Sequence, residues 1–219
     1  MRSVRRAVPS VLFACLLLAG CSSVQLGTST SSGGSSVAAG APGTGAGKAI
    51  AVGAGPQKHY TVQQQPAAGS CKYRYEHGEP LEDPACTPGA ISPAVTQANL
   101  ASTICRKGGY TSGVRPSAYV TGKEKKLNAA SYGFTGRMAD AEYDHLISLQ
   151  LGGDPNDPRN LWVEPADPGH RKGAGVNNRK DPVETKLHTA VCKGQVTLAA
   201  AQKAIVTDWT TALSSLHLS

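Results

Sequence analysis

The stretch Glu142-Tyr143-Asp144-His145-Leu146-Ile147-Ser148-Leu149-Gln150-Leu151-Gly152-Gly153 does most to limit what this chain can fold into. Ile147, Leu149 and Leu151 alternate with Ser148 and Gln150, which is the period of a half-buried strand. Gly152-Gly153 and the run Asp154-Pro155-Asn156-Asp157-Pro158 are turn chemistry. Asn160-Leu161-Trp162-Val163 is short and apolar enough to be a returning strand. The spacing therefore predicts a hairpin, with an Asp-His pair opening the first strand and an Asn opening the second.

Helical patterns flank it. Asp181, Pro182 and Glu184 read as N-cap, N1 and N3 of a helix whose buried stripe is Val183, Leu187 and Val191. A last helix begins near Thr197, with Leu198, Ala201, Ile205, Trp209, Ala212, Leu213 and Leu216 at helical spacing, so Trp209 is packing. Upstream, Ser92-Pro93 is a good helix start, and the pattern runs through Val95, Leu100 and Ile104 to about Cys105 before Gly108-Gly109 ends it. Val114 to Pro116 and Ala118 to Thr121 read as extended, and Lys123 to Ala130 as a short basic helix. The class is α+β.

Asp-His, a short apolar strand, Gly-Gly, a loop and then Asn-Leu-Trp resemble an HNH endonuclease of the ββα-metal class, over roughly residues 139–192. The resemblance implies a hairpin and a following helix that together grip one divalent cation, packed with flanking helices. It makes His145 the general base, Asp144 a metal ligand, and Asn160 the residue that braces the loop and orients the imidazole. The helix-start ligand falls on Asn177, three residues before Lys180, with Asn178 and His170 as alternatives. Arg179 and Lys180 would lie beside the scissile phosphate. Oxygen ligands favour Mg²⁺ or Mn²⁺ over zinc. The implied substrate is nucleic acid, DNA foremost and RNA as the alternative. The competing reading is a non-catalytic envelope module that keeps the ββα scaffold for packing. Asp144 and His145 are neighbours on a strand and so face opposite sides, which requires the chain to bend if both address one metal. His188 reads as a structural histidine near Cys192; His59, His77 and His217 have no constellation.

The N-terminus reads as an export signal. Arg2, Arg5 and Arg6 precede an apolar run from Val11 to Leu18, too short for a mature membrane span. Leu18-Ala19-Gly20-Cys21 resembles a bacterial lipobox, which implies cleavage after residue 20 and lipidation of Cys21. Residues 21–70 read as the lipidated Cys and a flexible Gly-, Ser- and Ala-rich tether, and residues 71–219 as the folded domain. The expected location is a bacterial membrane, with the domain facing the periplasm or the cell exterior, held by lipid alone and with no transmembrane helix in the mature chain. Removing residues 1–20 takes away three Arg and lowers the formal charge from +7 to +4, a mildly basic value that permits nucleic-acid binding without arguing for it.

Four Cys remain in the domain: Cys71, Cys86, Cys105 and Cys192. Export and an even count imply two disulfides. Three connectivities are open. Cys71–Cys86 with Cys105–Cys192 is favoured, because the second pair would staple a helix before the hairpin to the helix after it. A zinc cluster is the rival, weakened by the lack of a close Cys pair.

Overall fold

Strand edges in this protein are closed by side chains as much as by other strands. The computed structural model describes residues 49–176 and 178–218. In chain order its elements are β1 (Ala51–Val52), β2 (Arg74–Glu76), β3 (Glu79–Leu81), β4 (Ala90–Ile91), α1 (Ala118–Ser131), β5 (Glu142–His145), β6 (Leu161–Glu164), α2 (Lys180–Cys192), α3 (Leu198–Thr207) and α4 (Ala212–Ser215). Among the described residues there are three two-stranded sheets: β1 with β4 in parallel, and the antiparallel pairs β2–β3 and β5–β6. The molecule is mixed helix and strand, as the sequence indicates. Cys21 and Asn177 lie outside the described residues.

In the β5–β6 pair, Glu142 faces Glu164, Asp144 faces Trp162 and His145 faces Leu161. The far edge of β6 is covered by α1. Asn128 accepts from the Val163 N–H at 2.8 Å, and its amide donates to the Leu161 carbonyl. Tyr73 adds a hydroxyl bond to the Val163 carbonyl at 2.8 Å. A buried β6 edge is thus satisfied without a third strand.

The main core joins α2, α3 and α4 to the segment after β5. Leu187 and Val191 meet Ile147, Leu151, Ile205 and Trp209. Each side chain of this size that is fully buried contributes about 1.5–3 kcal/mol. Trp209 also donates its indole N–H to the Pro80 carbonyl at 3.1 Å, so it is packing with its polar atom satisfied. A second cluster sets Trp162 against Tyr132, Tyr73 and the Cys71–Cys86 disulfide. The other disulfide is Cys105–Cys192. Both pairings are those favoured from the sequence.

Four expectations are corrected. The strand expected over Ile147 to Leu151 stops at His145, and Leu149–Leu151 is a 3-10 turn. The Asn160 side chain takes both the N–H and the carbonyl of Ile147, at 3.0 Å each, and so replaces a ladder partner. The helix expected from Ser92 is a turn followed by a 3-10 segment, Gln97–Ser102, broken at Asn99; the Ser92 N–H is held by the Gly152 carbonyl at 2.9 Å. Ala118 to Thr121 is not extended but is the first turn of α1, which Ser117 caps by accepting from the Val120 N–H. Finally, packed chain begins well before Cys71. Ala51–Val52 pairs with β4, the Gly55 N–H reaches Asp154 at 2.6 Å, and Ser131 donates to the Pro66 carbonyl at 2.5 Å.

Gly152 and Gly153 have separate reasons to be glycine. Gly152 sits at φ +73°, the left-handed region. At Gly153 a Cβ would lie 1.7 Å from the Ile147 carbonyl oxygen.

Candidate functional site

The site grows from the β5–β6 pair and the start of α2. β5 delivers Asp144 toward α2 and His145 toward the loop that joins the strands. Asp144 accepts from the Lys180 ammonium at 2.6 Å. His145 is 5 % exposed, and its Nε2 lies 3.0 Å from the Pro155 carbonyl oxygen. A carbonyl only accepts, so Nε2 carries the proton and Nδ1 keeps its lone pair. Among the described residues Nδ1 makes no hydrogen bond, and His145 lines a cleft of about 390 Å³. Burial pushes the imidazole down to about 4, so it is neutral at physiological pH.

Asn160 holds this loop. It is fully buried, and besides Ile147 its amide donates to the Asp154 carbonyl at 3.1 Å. Asp154 in turn accepts from the N–H groups of Asn156 and Asp157, at 3.0 and 2.9 Å. The Pro155 carbonyl that fixes the His145 tautomer therefore sits between two anchored residues. Asn160 acts on the imidazole through the loop and does not touch it.

Lys180 is not where the sequence put it. It is 1 % exposed, and its ammonium reaches Asp144, the His145 carbonyl at 2.9 Å, and Glu184 one helical turn on. Burial pulls this ammonium down, but Asp144, Glu184 and Glu164 outweigh burial and hold it well above the usual lysine range. Arg179 is exposed and bound to Glu79 at 2.6 Å. Asn178 has both ends of its amide occupied. It donates to Glu142 at 3.0 Å and accepts from the Asp181 N–H at 3.1 Å, which caps the start of α2 in place of the expected Asp181. His170 belongs to a separate pocket, 3.7 Å from Asp140.

Three carboxylates complete the site that sequence reading did not single out. Glu142 and Glu164 stand directly opposite one another on β5 and β6. Like charges so placed repel. Glu164 is 1 % exposed, and neither of its carboxylate oxygens has a partner among the described residues. Burial first, and Asp144 second, raise Glu164 well above the carboxylate range and bring Glu142 up to about 7. Glu184 is also raised to about 7 by burial, against the pull of Lys180. The signals were present: Glu142 and Asp144 are two apart on a strand, and Lys180 and Glu184 are four apart on a helix.

This donor set has the hard-oxygen chemistry that a divalent cation takes, although among the described residues the carboxylate oxygens of Asp144, Glu142 and Glu164 do not all lie within 4.8 Å of one another. It offers buried carboxylate oxygens from Asp144, Glu142 and Glu164, an orphaned carboxylate among them, and more negative charge than one lysine balances. Elsewhere, Cys105, His188 and Cys192 bring three donor atoms within 4.8 Å of one another, but both sulfurs are joined in the disulfide. His188 Nε2 also lies 2.9 Å from the Ile104 carbonyl oxygen. Among the described residues no helix is long and apolar enough to cross a membrane.

A scan against protein-family models, a search of curated proteins and a search of solved structures each return no match.

Proposed function

We propose that this protein is a metal-dependent endonuclease that hydrolyses phosphodiester bonds of DNA, with RNA as a further substrate, and that it acts at the cell envelope, anchored through Cys21. The observation that carries the reading is the state of His145: a neutral imidazole with Nε2–H pinned to a carbonyl and Nδ1 free at a cleft, beside a carboxylate group with an orphaned member. A neutral imidazole with a free ring nitrogen can accept a proton from water. The Asn-Leu-Trp hairpin followed by α2 supports the same reading, since it supplies the order of elements that the HNH resemblance implies.

Asp144, with Glu142 or Glu164, would hold Mg²⁺ or Mn²⁺, and Asn177 remains the candidate from the segment before α2. When bound, such an ion stabilises charge on the phosphoryl oxygens and on the departing 3′-oxygen. In this reading His145 Nδ1 takes a proton from water as the water oxygen attacks phosphorus and the bond to the 3′-oxygen breaks. Pro155 and Asn160 keep the imidazole aimed. Lys180 fixes the Asp144 carboxylate and does not meet substrate.

Lys180 also favours a second reading. Its ammonium already sits among the acids as a resident cation, so the cluster can be a structural ion-pair network and the protein a non-catalytic envelope module. Plasmid nicking with Mg²⁺, against an EDTA control, separates the two. Under the enzyme reading His145→Ala lowers the rate by roughly 10²–10⁴ while Mn²⁺ still binds. Asp144→Ala instead weakens Mn²⁺ binding, and its activity recovers partly at high metal. No nicking by the wild type, or nicking by His145→Ala at the wild-type rate, overturns the catalytic assignment.

A further inference from the structure

The cleft in front of His145 has a floor whose composition neither packing nor backbone geometry explains. Ala118, Thr121, Gly122 and Lys125 of α1 lie along it at helical spacing, opposite Glu142, Tyr143 and His145. Gly122 is the anomaly. It stands inside a fourteen-residue helix, where glycine is the poorest residue short of proline. Its backbone is not left-handed, and a Cβ added there meets no heavy atom within 4 Å. No neighbour among the described residues demands its bareness; the open side faces the cleft.

The cleft is also charged for an anion. Arg115, held at the entrance to α1 by Pro116, is exposed and forms no ion pair among the described residues. It is near enough to act electrostatically on Glu142, His145 and Asp181. Lys125 stands on the cleft wall, its ammonium fixed by the carbonyls of Met138 and Ala141 at 2.6 Å each. Ala118, the first residue of α1, also lines the space, so the positive end of that helix opens onto it. Acids lie on one wall, and cations and a bare helix surface on the other.

We propose that α1 is the seat of the nucleic-acid strand: Arg115 grips a phosphate of the backbone next to the bond that is cut, and Gly122 is kept without a side chain so that the sugar-phosphate chain can lie directly against the helix. This rests on the nuclease reading above and adds the residues that position the strand. Lys125 closes the far end, and His145 Nδ1 faces the stretch between them.

The test uses a short fluorescein-labelled oligodeoxynucleotide, with anisotropy read in EDTA and cleavage read in Mg²⁺. Gly122→Ala raises Tm by about 1–4 °C, because the helix gains a better residue. Gly122→Leu folds at least as stably as wild type yet weakens binding about tenfold or more and raises KM to match. Arg115→Ala weakens binding and lowers the slope of log affinity against log salt by about 0.7–0.9, the loss of one phosphate contact, which a structural role would not do. Ala130→Leu, on an exposed part of α1 away from the cleft, changes neither binding nor KM. If the wild type binds and cuts but Gly122→Leu does so equally well, or Arg115→Ala leaves the salt slope unchanged, the α1 seat is wrong while the nuclease reading stands. If the wild type neither binds nor cuts the oligonucleotide, both fall together.

Discussion

Replacing Asn160 should destabilise the protein and misaim its imidazole at once, and the structure gives the size. The side chain makes three bonds of 3.0–3.1 Å, to the Ile147 N–H, the Ile147 carbonyl and the Asp154 carbonyl, and a longer one of 3.4 Å to the Ala90 N–H. Asn160→Ala leaves those three main-chain groups buried without partners. Each such group costs about 1–3 kcal/mol, and relaxation or an entering water offsets part, so the expected loss is about 3–5 kcal/mol. That is a large share of the 5–15 kcal/mol typical of a domain. Asn160→Asp is the sharper variant. It keeps the acceptor for the Ile147 N–H but turns a carboxylate toward two carbonyls, so at pH 8 it should cost at least as much as alanine despite matching asparagine in size. Urea titration followed by tryptophan fluorescence measures both, with an unchanged m-value as the sign that only stability moved. Under conditions where Asn160→Ala is still folded, kcat should fall while Mn²⁺ binding holds, because the loop fixing His145 has lost its brace. A loss under 1 kcal/mol for alanine, or an Asp variant as stable as wild type at pH 8, refutes the argument.

Other consequences are open to measurement. Gly153→Ala cannot place its methyl beside the Ile147 carbonyl, so it should disrupt the turn and lower the urea midpoint further than Gly113→Ala, whose Cβ meets no described residue and whose φ is not positive. Glu124 is buried in α1, accepts from the Gln63 N–H at 2.7 Å and has an unpartnered second oxygen, and burial raises its carboxyl above the usual range. A raised folded value stabilises below the unfolded value and is lost as pH climbs through the folded one. Glu124→Gln should therefore match wild type near pH 4 and exceed it in urea midpoint by a gap that opens toward pH 8; a gap that closes would refute this. The Cys105–Cys192 bridge spans 87 residues and Cys71–Cys86 spans 15. In the chain-entropy model, removing the first by paired Ala substitutions costs about 4.6 kcal/mol and removing the second about 3, and differential scanning calorimetry should rank them in that order.

What the sequence disclosed was mostly local. The stripes on α2 and α3 and the turn glycines follow from spacing and residue type, and the two cysteine pairs are the favoured one of three open connectivities; the cap at Ser117 is not legible where Ala118 to Thr121 reads as extended. The span Ile147 to Leu151 misled because alternation does not reveal what satisfies the backbone. A strand partner was expected, and a single asparagine supplies the bonds instead. The segment from Ala49 to Ser70 was missed for a related reason. It is poor in large apolar residues, and it is held by hydrogen bonds to residues far along the chain, such as Gly55 to Asp154 and Gln63 to Glu124. Within the site, Asp144, His145 and Asn160 stood out because they share one motif. Glu164 and Arg115 did not, since each becomes notable only beside groups that the fold brings to it: Glu142 across the strands in one case, the open face of α1 in the other.

The Cys105–Cys192 bond has a topological meaning apart from its energy. It closes a covalent ring that contains Arg115, Gly122, Asp144, His145, Asn160, Lys180 and Glu184, so the whole candidate site lies on a loop with no free end. One peptide bond of that ring can be cut, for instance in the exposed run Arg171 to Gly173, and the molecule stays in one piece. A protease acting there makes two chains joined by the disulfide, with a new pair of ends ahead of α2. The two halves of the site part only when a cut and a reductant arrive together.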